Sequence, residues 1–154
     1  ERLKLARIGE NKRRMARARE VGLSRWCEGR RVADAPWFRA RFADLQARLI
    51  ALEANTERFM VRQMAGEKIG PEVSMLKLRG SRLIQLWEDL IVDALGPKAA
   101  PLSPDWLHGQ PDAVPQDALA GTASSRRFLA RGYTIAGGSS EIQHNILAKQ
   151  VLGL

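Results

Sequence analysis

From Pro36 onward, Phe38, Phe42, Leu45, Leu49, Leu52 and Phe59 recur at steps that keep one face of a helix. That period predicts a long amphipathic helix over 36–66, with Pro36 suited to its first turn and Gly66 to its end. An apolar stripe of this length must be covered by other helices rather than left to water. Candidates stand on both sides. Residues 2–22 place Leu5, Ile8, Met15, Ala18 and Val21 inward and arginines outward. Residues 71–96 carry Leu76, Leu83, Leu86, Leu90 and Ala94, opening at Pro71 and closing at Gly96-Pro97. Residues 23–35 break the period and read as a loop. Residues 97–122 hold five prolines and read as an irregular excursion. A short helix near 120–130 and a terminal helix from about 140 follow. No strand pattern is evident, and the expectation is an all-α antiparallel helical bundle in one domain, residues 1–154.

Composition narrows the function classes. The single cysteine, Cys27, excludes an internal disulfide and fits a reducing, cytoplasmic setting. With two histidines besides, a protein-built metal site is not expected. No apolar run is long enough to span a membrane. Of the +8 formal charge, most lies in residues 1–31, where eleven Lys and Arg stand against four Glu. A basic segment admits a nucleic-acid binder, but no aromatic residue interleaves it before Trp26, so base stacking has little support.

The tail Ala136-Gly137-Gly138-Ser139-Ser140 joins a small-residue turn to the terminal helix carrying Ile142, Ile146, Leu147 and Val151. Either serine can cap that helix, with Glu141 in its first turn. The turn is either an ordinary cap or a place where N–H groups meet an anion or cofactor.

Three stretches resemble the C-terminal domain of the acyl-CoA dehydrogenases: GGSSEIQHNILAKQVLGL at the end, residues 70–97, and ERLKLARIG at the start. The prolines after Gly96 resemble the branch containing the large subunit of pimeloyl-CoA dehydrogenase. The resemblance implies FAD as cofactor, an acyl-CoA substrate, α,β-desaturation with hydride transfer to flavin, and electron-transferring flavoprotein as acceptor. It places Gly138, Ser139 and Glu141 against FAD, and the Gly137 N–H on the thioester oxygen. It also implies N-terminal helical and middle β domains, absent from these residues, so that this chain alone lacks activity.

Three departures from the family pattern stand out. Gly137 occupies the position where many members carry the catalytic Glu. A minority place the base in an Glu-Arg pair on the opening helix, which Glu1-Arg2 matches, so Glu1 is either the base or a surface residue. The usual Arg-x-x-Phe-Gly is missing, and Asp93 stands where a Gln reaching the partner's FAD is common. The competing expectation is therefore a catalytically silent subunit of a heteromeric pair. In either case the chain is expected to self-associate or to pair with a homologous subunit, using Ile84, Ile91 and Val92 as surplus apolar surface.

Overall fold

A computed structural model describes residues 2–99 and 118–154. A 3-10 segment, Arg2–Ala6, leads into α1, Ile8–Ser24. A two-residue ladder pairs β1, Trp26–Cys27, with β2, Arg30–Arg31. Next come α2, Pro36–Met64, and α3, Ser74–Leu95. The last two helices are α4, Ala118–Arg131, and α5, Ser140–Leu147, which runs on as a π turn over Ala148–Leu152. The architecture is the expected helical bundle.

The bundle is organised around α3, which packs on α1, α2, α4 and α5. Its apolar residues are so numerous because it has neighbours on most sides. Leu76, Leu83, Ile84, Trp87, Leu90 and Ile91 are all buried, Trp87 completely. The α2 stripe, with Phe38, Leu45, Leu49, Leu52 and Phe59 buried, faces it as its period requires. Phe42 meets Trp87 edge-on at 5.4 Å between ring centroids. Each fully buried side chain of this size contributes about 1.5–3 kcal/mol relative to exposure.

One expectation is overturned here. Ile84 and Ile91 are not surplus surface, because both are buried inside the bundle, where α3 has neighbours on most sides. Large exposed apolar residues lie instead on α2 (Ile50, Met60, Val61, Met64) and over the chain's last third (Phe128, Leu129, Ile135, Ile142, Leu152).

The opening helix is also not continuous. Arg7 takes a left-handed conformation, φ 52° and ψ 40°, which breaks it after Ala6. That conformation costs a non-glycine residue about 1–2 kcal/mol. The cause lies across the bundle, at Gly80 on α3. Ala6 is fully buried against Gly80, where any Cβ would overlap the Ala6 carbonyl. The buried Asn11 amide stabilises the break, donating to the carbonyls of Arg7 (3.1 Å) and Gly80 (3.2 Å).

The presumed loop after α1 contains the small ladder, which period-based reading missed. Glu28 and Gly29 both have positive φ, 51° and 76°, as a two-residue hairpin turn demands. Trp26 is exposed beside Arg31 rather than packed in the core. Helix α4 starts at Ala118, slightly before its expected limit. The expected proline-rich excursion falls largely on residues 100–117, including Trp106, which lie outside the described residues.

Candidate functional site at the glycine turn

The turn before α5 begins where the N–H groups of Ile135 and Ala136 both donate to the Gly132 carbonyl. Gly137 and Gly138 follow with φ of 75° and 94°, a region that side chains rarely enter. Ser139 then caps α5, its Oγ accepting the Ile142 N–H at 3.3 Å. Ser140 Oγ donates to the Thr134 carbonyl. The expected residues Gly137, Gly138, Ser139 and Glu141 are therefore brought together in one turn at a helix start. Glu1, the expected base, lies outside the described residues.

Among the described residues, the N–H groups of Gly137 and Gly138 donate to nothing. Gly137 is exposed and Gly138 half-buried. Two free donors in a turn without Cβ atoms can bind an anion or a polarised carbonyl oxygen. A flavin chain or a thioester offers acceptors of the kind such donors suit, while the space a Cβ would take is held by Leu5 at Gly137 and by Gln143 at Gly138. Glu141 is exposed, and hydrogen bonds from its own N–H and from the Ser139 hydroxyl hold its carboxyl below the usual carboxylate range.

Two supports fix the turn from beneath. Gln143, largely buried, donates from Nε2 to the Gly137 carbonyl at 3.5 Å. Lys77 on α3, only 2% exposed, donates from Nζ to the Thr134 carbonyl at 3.0 Å. Burial pushes the Lys77 amine below its ordinary value, Glu141 pulls it back up, and Arg7 adds to the depression. From the start of the chain, Leu5 reaches Gly137, its Cδ2 lying 3.2 Å from where a Cβ would stand. The fold thus brings the opening segment and the closing turn together.

Lys77 was not foreseen, although a signal exists. Lys77, Ser81, Gln85 and Glu88 follow helical spacing and are all buried, a polar stripe inside an otherwise apolar helix. Gln85 Nε2 donates to the Ala130 carbonyl at 3.2 Å, joining the stripe to α4. Asp93 sits far from the turn, about 24 Å along α3 from Lys77 at 1.5 Å per residue. There it pairs with Arg41 of α2 at 2.6 Å. The hairpin occupies the chain where Arg-x-x-Phe-Gly is missing. Cys27 is exposed. His144 lines a groove of about 660 Å³ between α3 and α5, with Arg79 and Arg82. No group of acidic, histidine or cysteine side chains suited to a metal occurs among the described residues.

The sequence matches the family described as acyl-CoA dehydrogenase, C-terminal domain, over residues 1–152. The chain belongs to that family. A search of curated proteins found no match. Among solved structures, it is similar to a chain from a study of the electron transferring flavoprotein of Acidaminococcus fermentans and flavin-based electron bifurcation. That match has 15% identity and a TM-score of 0.73, covering 98% of this chain and 36% of that one. The ChsE4-ChsE5 complex from Mycobacterium tuberculosis gives 21% identity and a TM-score of 0.72, over 96% of this chain and 35% of that one. An acyl-CoA dehydrogenase from Geobacillus kaustophilus gives 21% and 0.69, over 99% and 36%. These likenesses show the fold, and the chain spans about a third of the length of each.

Proposed function

We propose that this chain is the C-terminal bundle of an FAD-dependent acyl-CoA dehydrogenase that desaturates an acyl-CoA thioester. The observation that carries the reading is the glycine turn: two free N–H donors, no Cβ, and a capped helix behind them. In this reading Gly138, Ser139 and Glu141 line the flavin, and the Gly137 N–H polarises the thioester oxygen, which acidifies the α-carbon. Glu1 is the proposed acceptor of the α-proton. FAD, when bound, supplies the hydride acceptor. Electron-transferring flavoprotein is the proposed onward acceptor, fatty-acid metabolism the proposed context, and the cytoplasm the proposed location. Among the described residues no helix is long and apolar enough to cross a membrane.

A second reading is supported by Asp93. Its carboxylate is engaged by Arg41 inside its own chain, which leaves it poorly disposed to reach a partner's flavin. The chain would then be a silent subunit completing a homologous partner's site. One solved structure of similar fold is itself a complex of two named components.

The test is the flavin spectrum of the intact protein, with and without acyl-CoA. Bound flavin that bleaches on adding substrate supports the enzyme reading. Glu1→Gln should then keep its flavin and lose turnover by roughly two to four powers of ten. Normal flavin reduction in that variant removes Glu1 as the base. A flavin-free chain that copurifies with a flavin-loaded homologue supports the second reading.

A further inference from the structure

A second polar centre lies away from the glycine turn, in a cavity of about 320 Å³ between α1, α3 and α4. Its back wall is Glu88, 1% exposed. Oε1 of Glu88 accepts from Arg14 Nε at 2.8 Å, whereas Oε2 is buried with no partner. Arg14 also faces Glu10 at 3.6 Å, and Glu10 is bonded by Arg7 at 2.6 Å. These contacts occupy Arg7, Arg14 and Glu10 with one another and with Oε1 of Glu88. Three further arginines line the same cavity: Arg13 and Arg17 from α1 and Arg126 from α4. None has a hydrogen-bond or ion-pair partner among the described residues. Arg13 and Arg17 are one helical turn apart, so their side chains rise from the same face.

Three unpaired guanidinium groups repel one another, and a buried carboxyl oxygen without a partner is costly. A single occupant relieves both. We propose that this cavity binds a small oxyanion of the phosphate or sulfate class, held by Arg13, Arg17 and Arg126 and facing Oε2 of Glu88. The guanidinium groups supply charge and paired donors. Glu88 supplies a donor if Oε2 carries a proton.

Its surroundings favour that proton. Burial pushes the Glu88 carboxyl up, Arg14 and Arg17 oppose the rise, and Asp89 on the same helix reinforces it. The other groups facing it are Glu10, Arg126 and Tyr133. Burial raises Glu10, but bonds from Arg7 and Tyr133 outweigh it and leave it below its ordinary value, hence ionised. Anion binding and protonation of Glu88 therefore assist each other, and the assistance is reciprocal.

Sulfate is the first probe, because its charge stays fixed between about pH 5 and 8. Calorimetric titration of the intact protein should show sulfate binding that tightens as pH falls. Arg13→Gln, at an exposed position that folding tolerates, and Arg126→Gln should each weaken it about tenfold or more. Glu88→Gln, whose amide still donates, should bind sulfate but lose the pH dependence. Inorganic phosphate should compete for the site. A phosphate monoester competing equally well identifies a phosphate group on a larger molecule as the source, and a weak competitor identifies the free ion. Absence of sulfate and phosphate binding in the folded protein overturns the proposal. So does an equal loss in a control with Arg30→Gln and Arg31→Gln on the exposed hairpin. Retained pH dependence in Glu88→Gln overturns the role of Glu88.

Discussion

Lys77 and Thr134 are joined by a 3.0 Å hydrogen bond from a buried ammonium to a backbone carbonyl, 57 residues apart in sequence. The bond ties the first turns of α3 to the segment that carries the glycine turn. Lys77→Met keeps the length of the side chain and removes the donor. We expect a loss of about 1 kcal/mol or less, since the unfavourable burial of a charge disappears with it. Ser140 still donates to Thr134. The sensitive readout is amide hydrogen exchange at Ile135 and Ala136, whose N–H groups donate to the Gly132 carbonyl; it should speed up while α2 is unaffected. Unchanged exchange there would show that the turn stands without Lys77.

Gly80→Ala tests the crossing of α3 and the opening segment. Alanine favours a helix over glycine by about 1 kcal/mol. The new Cβ overlaps the Ala6 carbonyl, which is backbone and cannot rotate aside. The overlap should win, with a net loss of roughly 1–3 kcal/mol in urea unfolding and unchanged helix content. A stabilised variant would mean that Ala6 does not sit on Gly80.

What was legible and what was not divide along this same contact. The stripes of α2 and α3 were legible because period reports which face is covered, and Phe38, Leu45, Leu49, Leu83 and Leu90 are buried accordingly. The break at Arg7 was not, because Arg-Leu-Lys-Leu-Ala-Arg-Ile contains no proline or glycine; its cause stands 73 residues later. Ile84 and Ile91 misled because a stripe does not reveal how many neighbours share it. At the site, the glycines and the capping serine were legible from local chemistry. Lys77, Gln143 and Leu5 reach the turn only through tertiary packing.

Gly138→Ala and Gly137→Ala separate two kinds of glycine requirement. Both enforce an unfavourable φ, costing about 1–2 kcal/mol. At Gly138 the Cβ would also stand 2.6 Å from Gln143 Nε2, while at Gly137 it meets the movable tip of Leu5. Gly138→Ala should therefore be the worse of the two. Adding Gln143→Ala should recover part of its loss and none of the Gly137→Ala loss, read as coupling in a double-mutant cycle of urea midpoints.

Glu88 gives stability a signed pH dependence. Its carboxyl is raised in the folded chain, so between about 4.3 and the raised value the folded state holds more proton than the unfolded. Stability from this group is full below that window and falls as pH rises through it. Glu10, Glu72 and Glu141 are lowered, so their contribution is lost at more acid pH, with the opposite slope. Urea midpoints of the wild type should decline with rising pH just above the ordinary glutamate range. Glu88→Gln should flatten that decline, and an unaltered slope would show that Glu88 titrates normally.

Exposed Ile50 and Val61 on α2 predict a covered face in the intact protein. Light scattering should report an oligomer, and Ile50→Glu with Val61→Glu should shift it toward monomer without loss of helix. A wild-type monomer would contradict this.

The left-handed turn at Arg7 also governs orientation. Because the opening segment reaches α1 through one pair of dihedral angles and not through continuous helix, it leaves the bundle on a heading that α1 alone would not give. Arg7 stacks its guanidinium over Tyr133 at 4.3 Å, immediately before Thr134 and the glycine turn. The joint that sets this heading is thus anchored next door to the glycine turn, so the relative placement of the opening segment and the turn is written into the bundle itself.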